Sequence, residues 1–191
     1  MKIGILALQG AFIEHTQKLK ELNVPAVEVR LPQDLRDIDG LIIPGGESTA
    51  IGKLMASFGL VEPIRRFAAR HAVWGTCAGM ILMAQRIEPG RPVLGFMNIA
   101  VERNAFGRQI DSFEEDLAVA VLKEGDTRLF PGIFIRAPRL LDAGASAQVI
   151  ARLADGTAVA AAEGKWLATA FHPELSRDLR FHQYFMEMVR S

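Results

Sequence analysis

Cys77 is the only cysteine in this 191-residue chain, and the residues around it suit a nucleophile. Residues 75–79 read Gly-Thr-Cys-Ala-Gly, with an apolar run before them at 72–74 and another from 78 to 84. This order predicts a strand, a sharp turn and a helix, and the two glycines leave room for the thiol. The dipole at the start of such a helix favours the thiolate. A lone cysteine can also be a small buried apolar side chain, so this segment needs support from elsewhere in the chain.

A cysteine nucleophile requires a histidine that accepts its proton and a group that orients this histidine. Residues 171–175 read Phe-His-Pro-Glu-Leu at the end of an apolar run, and they supply both groups. His172 lies at the predicted strand end, and Glu174 follows it beyond a proline that fixes the bend. A separation of two residues allows the carboxylate to meet an imidazole nitrogen and set the tautomer of the ring. The alternative is a loop histidine beside an unrelated glutamate.

A glycine pair provides candidate backbone donors for the same site. Residues 44–49 read Pro-Gly-Gly-Glu-Ser-Thr between a predicted strand and a predicted helix. In an open α/β sheet, ligands bind beyond the carboxyl ends of the strands, where this loop and the cysteine turn both lie. We therefore predict an oxyanion hole formed by the N–H groups of Gly46 and Ala78. A plain tight turn, with Ser48 or Thr49 as the helix N-cap, is the alternative.

Two segments contain arginines that could hold a carboxylate. Residues 103–109 read Arg-Asn-Ala-Phe-Gly-Arg-Gln, and residues 134–138 read Phe-Ile-Arg-Ala-Pro. The paired N–H donors of a guanidinium group match the two oxygens of a carboxylate. Either segment can equally be a solvated loop, because most surface charge is inert.

The elements that must position these residues indicate an α/β fold. Apolar runs typical of buried strands alternate with helical patterns in the first half of the chain, with strands at 2–8, 26–30 and 40–43 and helices at 11–23, 48–58 and 61–70. This order predicts a doubly wound open sheet. Further strand-like segments indicate added, partly antiparallel strands, at 96–101, 116–122, 132–137, 147–153, 157–162 and 166–170. An amphipathic helix over 178–190 closes the chain.

Two other histidines receive no chemical role from the sequence. His15 lies on the apolar face of the first predicted helix, as expected for a core histidine held by a local hydrogen bond. His182 lies off the apolar stripe of the last predicted helix.

The composition limits the possible partners and locations. The 22 basic and 22 acidic side chains cancel, so we expect neither nucleic acid nor an anionic membrane as a partner. The length suits a single domain over residues 1–191. One cysteine excludes an internal disulfide, no apolar run could span a bilayer, and the first residues lack signal-peptide features. We therefore expect a cytoplasmic protein.

Taken together, the Gly-Thr-Cys-Ala-Gly and His-Pro-Glu segments resemble those of class I (triad) glutamine amidotransferases. The Gly-Gly-Glu-Ser-Thr, Arg-Asn-x-Phe-Gly-Arg-Gln and Phe-Ile-Arg-Ala-Pro segments narrow the resemblance to the glutaminase subunits of pyridoxal 5′-phosphate synthases. The resemblance implies hydrolysis of L-glutamine to L-glutamate and ammonia, with Cys77 as nucleophile, His172 as base and then acid, and Glu174 orienting His172. It implies six residues that hold glutamine: Gly46, Glu47, Ser48, Arg103, Ile135 and Arg136.

The resemblance also implies a synthase subunit that receives the ammonia, in a large hetero-oligomer, and no metal or other cofactor. Two alternatives remain at this stage. One is a glutaminase that serves another ammonia-using synthase, such as the one that makes imidazole glycerol phosphate. The other is an α/β protein outside the amidotransferases whose turn cysteine serves hydrolysis or redox sensing.

Overall fold

The computed structural model describes residues 1–103 and 112–191. Its helices and strands follow in this order: β1 (Ile3–Leu6), α1 (Phe12–Glu21), β2 (Ala26–Val29), β3 (Gly40–Ile43), α2 (Ser48–Ser57), α3 (Val61–Ala68), β4 (Ala72–Thr76), α4 (Ala78–Met83), β5 (Ala84–Glu88), β6 (Met97–Glu102), β7 (Ser112–Leu117), β8 (Phe130–Ile135), β9 (Arg139–Ala143), β10 (Gln148–Arg152), β11 (Ala158–Glu163), β12 (Trp166–Thr169) and α5 (Arg180–Arg190). Short 3₁₀ helices cover Pro32–Leu35 and Pro173–Leu175.

Five parallel strands form the part of the sheet that carries the predicted site. They lie in the order β2, β1, β3, β4, β12. β1 and β3 are buried along their whole length, which explains why their sequences are apolar without alternation. Thr76 at the end of β4 pairs with Thr169 at the end of β12. The segments that leave these two strands, with Cys77 and His172, therefore start from the same edge of the sheet.

Helices cover both faces of this parallel part. Successive residues of a strand point to opposite faces, and Trp74 and Gly75 of β4 show what lies on each. Trp74 packs against the rings of His15 in α1 and Phe185 in α5. Gly75 lies against the backbone of Gly79 in α4. Because α1 and α5 cover one face and α4 the other, the sheet is doubly wound as predicted.

The remaining strands extend the sheet with mostly antiparallel neighbours. β11 and β12, which correspond to the strands predicted at 157–162 and 166–170, form an antiparallel hairpin, and β9 and β6 continue from β11 in antiparallel pairings. β5 then pairs with β6 in parallel, and β10 pairs with β11. β7 and β8 form a separate two-stranded ribbon. The added antiparallel strands agree with the sequence prediction.

The prediction of a strand over 116–122 is wrong. β7 ends at Leu117, and the chain then turns, with the Leu122 N–H donating to the Val119 carbonyl at 3.1 Å. All three of these apolar side chains are buried, so the apolar pattern reflects a turn anchored in the core. Two strands are absent from the prediction. β5 follows α4 without an intervening turn, and β9 has one buried residue, Leu140, among five.

The last helix supplies much of the core beneath the site. Phe181 and Phe185 of α5 are fully buried, as the amphipathic pattern predicts. Their rings pack with those of Trp74 and Phe130. Burial of one such ring contributes about 1.5–3 kcal/mol. In the described parts of the chain, every helix is too short or too polar to cross a membrane.

Candidate active site

Cys77 occupies a strained turn between β4 and α4. Its backbone has φ 47° and ψ −103°, and non-glycine residues adopt positive φ only where their surroundings enforce it. The two flanking glycines allow this close packing. A Cβ on Gly79 would collide with the carbonyl oxygen of Ile43, and one on Gly75 would lie 2.5 Å from the Gly79 carbonyl carbon. The Cys77 thiol lies 3.9 Å from the Ile135 carbonyl oxygen, to which it can donate.

His172 and Glu174 lie behind the thiol as a buried pair. The Nδ1 atom of His172 is 2.7 Å from the Oε1 atom of Glu174, and the Cys77 side chain lies next to the His172 ring. Burial acts to lower the pKa of His172. The hydrogen bonds with Cys77 and Glu174, together with their charges, outweigh burial and raise this pKa to about 10. The raised pKa favours the protonated imidazole, in which Nδ1–H donates to the Glu174 carboxylate.

The glycine loop after β3 packs against the histidine. The Gly45 N–H donates to Thr76 Oγ1 at 3.0 Å, and a Cβ on Gly45 would collide with the His172 ring. Two residues later in the same loop, the Glu47 N–H donates to the side-chain oxygen of Gln9 at 2.8 Å. Sequence reasoning missed Gln9 as a site residue. Its position directly after the strand-like run of β1 was the available signal.

Glu47 caps helix α2. Its carboxylate accepts hydrogen bonds from the N–H groups of Thr49 at 2.9 Å and Ala50 at 2.6 Å. The bond from Thr49 is the main cause of a lowered pKa of Glu47. Glu47 is therefore the N-cap of α2. The sequence-based alternative, in which Ser48 or Thr49 is the N-cap, is wrong.

One cavity of about 240 Å³ brings most of the predicted residues together. Its lining consists of Gln9, Gly46, Glu47, Ser48, Cys77, Ala78, Ile81, Arg103, Ile135, Arg136 and His172. Glu174 lies outside the lining, behind His172. Of the predicted segment 103–109, residues 104–109 lie outside the described residues, so the structure locates Arg103 alone.

The two cavity arginines differ in what they contact. Arg103 donates from Nη2 to Thr49 Oγ1 at 3.0 Å, and its guanidinium lies 3.7 Å from the Glu47 carboxylate. Arg136 has a left-handed φ of 42° and an exposed side chain. Within residues 1–103 and 112–191, the Arg136 guanidinium has no hydrogen-bond or ion-pair partner. Among the described residues, no carboxylate therefore compensates the positive charge that Arg136 presents at the cavity.

A thiol, an imidazole held by a carboxylate and nearby backbone N–H groups are the parts needed for acyl transfer. The parts of the chain that the structure describes contain no group of three or more His, Cys, Asp or Glu side chains that could hold a metal ion.

Comparison with known proteins decides the family. The profile of the SNO glutamine amidotransferase family matches residues 5–191. The chain belongs to this family. The amidotransferase is similar to the pyridoxal 5′-phosphate synthase subunit PdxT of Herpetosiphon aurantiacus, with 54% identity covering 97% of this chain and 99% of the relative. It is 53% identical to the PdxT subunit of Dehalococcoides mccartyi, over 100% of this chain and 98% of that one.

A solved structure supports the same conclusion. The crystal structure of a glutamine amidotransferase aligns with this amidotransferase at a TM-score of 0.91 and 46% identity, over 99% of each chain. The predicted family, the α/β amidotransferase fold and the enzyme class are confirmed. The role of each site residue stays a prediction.

Proposed function

We propose that this amidotransferase hydrolyses L-glutamine to L-glutamate and ammonia and supplies the ammonia to a synthase subunit that makes pyridoxal 5′-phosphate. The observation that carries this proposal is the arrangement of Cys77 and His172 at one cavity, with Glu174 hydrogen-bonded to His172 from behind, in a chain whose relatives are synthase subunits. Membership of the family argues against an unrelated hydrolase or redox sensor. The names of the relatives favour pyridoxal 5′-phosphate synthesis over imidazole glycerol phosphate synthesis.

In the first step, His172 accepts the proton of the Cys77 thiol, and the resulting thiolate attacks the side-chain amide carbon of glutamine. A C–S bond forms and the carbonyl electron pair moves to oxygen, which creates an oxyanion. The N–H groups of Gly46 and Ala78 receive this charge. Both residues line the cavity beside the thiol, and Ala78 is the first residue of α4, where backbone N–H groups have no intrahelical acceptor.

In the second step, protonated His172 transfers its proton to the leaving nitrogen. The C–N bond breaks, ammonia leaves and a γ-glutamyl thioester stays on Cys77. His172 then accepts a proton from water, which attacks the thioester and releases glutamate. The raised pKa of His172 supports its part as the acid, and the 2.7 Å bond to Glu174 supports the part of Glu174 in orienting the ring.

The α-carboxylate of glutamine binds to Arg136 in this proposal. Arg103 is engaged with Thr49 and Glu47, whereas Arg136 has no partner among the described residues. A bidentate pair with the substrate carboxylate would use the Arg136 guanidinium. Gly46, Glu47, Ser48 and Ile135 complete the contacts that family likeness assigns to glutamine.

The synthase subunit is proposed to switch the glutaminase on, within a large hetero-oligomer in the cytoplasm, without nucleic acid or membrane. The peptide between Gly45 and Gly46 has no side chain on either residue and lies next to His172, and its flip would break one hydrogen bond, which the Ala11 N–H donates to the Gly45 carbonyl at 3.0 Å. Docking that turns the Gly46 N–H toward the substrate oxygen would complete the oxyanion hole.

Glutamate release from glutamine, measured with and without the purified pyridoxal 5′-phosphate synthase subunit, tests this function. We expect release that depends on the subunit and that disappears in Cys77→Ala, because no thioester can form. Release that ignores the subunit would place the glutaminase in another pathway. Absence of release under both conditions would overturn the proposed activity.

A further inference from the structure

His15 is a buried polar side chain that the proposed mechanism leaves unused. It belongs to α1 and has no exposed surface. Its Nδ1 atom lies 3.0 Å from His182 Nε2, and its Nε2 atom lies 3.3 Å from Thr76 Oγ1 and 3.5 Å from Glu174 Oε2. The expected local hydrogen bond is therefore replaced by contacts to three distant segments. One of these contacts is the second oxygen of the carboxylate that holds His172.

The surroundings keep both buried histidines uncharged. Burial, followed by the nearby His182 and His172, lowers the pKa of His15 well below its usual value. Burial, followed by the charge of Lys18, lowers the pKa of His182 to about 3. The groups that face His15 are Glu174 and His172 from the segment after β12, His182 from α5, and Thr76 and Trp74 from β4.

The contacts favour one arrangement of protons. A neutral imidazole has one donor nitrogen and one acceptor nitrogen. The Oε2 atom of Glu174 can only accept, it is buried without a hydrogen-bond partner in the described chain, and it lies 3.5 Å from His15 Nε2, so a proton on this Nε2 is favoured and Nδ1 of His15 is the acceptor. His182 then carries its proton on Nε2 and donates it to His15 Nδ1. The proton of His15 on Nε2 faces Thr76 Oγ1 and the Glu174 carboxylate.

The same side chain also reaches the glycine loop. Thr76 Oγ1 accepts the Gly45 N–H at 3.0 Å, and Gly45 precedes the predicted oxyanion residue Gly46. His15 therefore contacts both the carboxylate behind His172 and the hydroxyl that holds the glycine loop.

We propose that His15 is a positioning residue for the triad, which directs its Nε2 proton to Glu174 Oε2 and so holds the carboxylate in the plane that meets His172. His182 fixes the orientation of His15 from behind. The 3.5 Å separation is longer than a good hydrogen bond, and such bonds often shorten when substrate binds. This inference rests on the proposed function of Cys77, His172 and Glu174.

The first test needs no substitution of His15. Nitrogen-15 NMR of the wild-type chain reports which ring nitrogen of each of its four histidines carries a proton. We expect His15 to be uncharged at neutral pH, with its proton on Nε2 and a lone pair on Nδ1. A proton on Nδ1 alone, or a doubly protonated ring, would overturn the proposal, whether or not the chain hydrolyses glutamine.

The second test compares His15→Gln with His15→Asn in the complex with the synthase subunit. The glutamine side chain places an amide nitrogen near the position of Nε2, and the shorter asparagine does not. Both substitutions remove the ring that packs against Trp74, so they share its structural loss. We expect His15→Asn to lower kcat by about tenfold to a hundredfold with little change in KM, the size of one hydrogen bond to a charged group. His15→Gln should recover most of this loss.

The same two substitutions are repeated in a Glu174→Ala background. If His15 acts through Glu174, His15→Asn should change kcat by less than about twofold there, because the two side chains act as one unit. An equally large loss in both backgrounds, or equal kcat values for the two His15 variants, would overturn the proposal. His71→Gln is the matched control, since His71 stacks on Phe67 away from the cavity and should leave kcat unchanged. Wild-type release in the same assay tests the proposed function separately.

Discussion

Arg103 and Arg136 line the same cavity, but their guanidinium groups are in different situations. Arg103 is engaged by Thr49 and Glu47 at the start of α2. Arg136 has no partner among the described residues. The sequence could place both arginines near a carboxylate ligand, yet it could not choose between them. The choice depends on contacts between residues more than 50 positions apart.

We predict that Arg136→Gln raises the KM for glutamine by about tenfold to a hundredfold and leaves kcat within about threefold, because a charge-assisted contact to the non-reacting carboxylate is lost. Steady-state glutamate release by the complex measures both parameters. The matched substitution Arg128→Gln removes an exposed arginine that pairs with Asp178 and is absent from the cavity lining, and it should leave KM unchanged. An unchanged KM in Arg136→Gln would contradict the assignment.

At the scale of elements, the strand–turn–helix unit of β4 and α4 holds Cys77 at positive φ. The sequence predicted this unit from its glycine spacing. The structure adds the reason for Gly79, which is the close approach of α4 to the Ile43 carbonyl of β3. Other elements carried weaker signals. β9 buries one residue of five, so its sequence has no strand-like apolar pattern and the strand was not predicted. The apolar residues after β7 anchor a turn, and the predicted strand therefore extended too far, beyond Leu117.

We predict that Gly79→Ala destabilises the fold by about 1–3 kcal/mol and lowers glutaminase activity, because the new methyl group displaces α4 from β3. Urea unfolding measures the stability. Gly52→Ala is the matched control. Its new methyl group would lie 3.3 Å from the Val93 side chain, and alanine favours the helix interior by up to about 1 kcal/mol. Equal unfolding free energies for Gly79→Ala and wild type would contradict the role of this contact.

At the scale of the whole molecule, the site draws on segments from both ends of the chain. Parallel strands place Cys77 and His172 at one sheet edge, so the sequence could predict that they meet. The pairing of His15 with His182 spans 167 residues, and it follows from α1 and α5 covering the same face. Periodicity places each histidine on its own helix, but it gives no information about contacts between helices.

The buried histidines also make stability depend on pH. The pKa values of His15 and His182 are lowered by burial, so below about pH 6.5 the unfolded chain binds protons that the folded chain does not. The free energy of unfolding should therefore decrease as the pH falls below about 6.5, by about 1.4 kcal/mol per pH unit for each of these two histidines.

His172 has the opposite effect on stability. Its raised pKa adds stability that is complete below about pH 6.5 and is lost as the pH rises through about 10.

We predict that His182→Gln reduces the loss of stability between about pH 7 and about pH 5, because one buried titratable group is removed. Urea unfolding at several pH values measures this slope for wild type and variant. The acid slope of His182→Gln should be smaller by about 1.4 kcal/mol per pH unit. An unchanged slope would show that His182 does not titrate as its burial requires.

In the proposed mechanism, Cys77 carries a γ-glutamyl thioester during turnover. The most direct measurement is acid quenching of the complex of wild-type chain and synthase subunit during glutamine turnover, followed by mass spectrometry of the Cys77 peptide. We expect the γ-glutamyl adduct on Cys77, and none in Cys77→Ala. Continued release of glutamate by Cys77→Ala, or an adduct on a different residue, would contradict the role of Cys77 as the nucleophile.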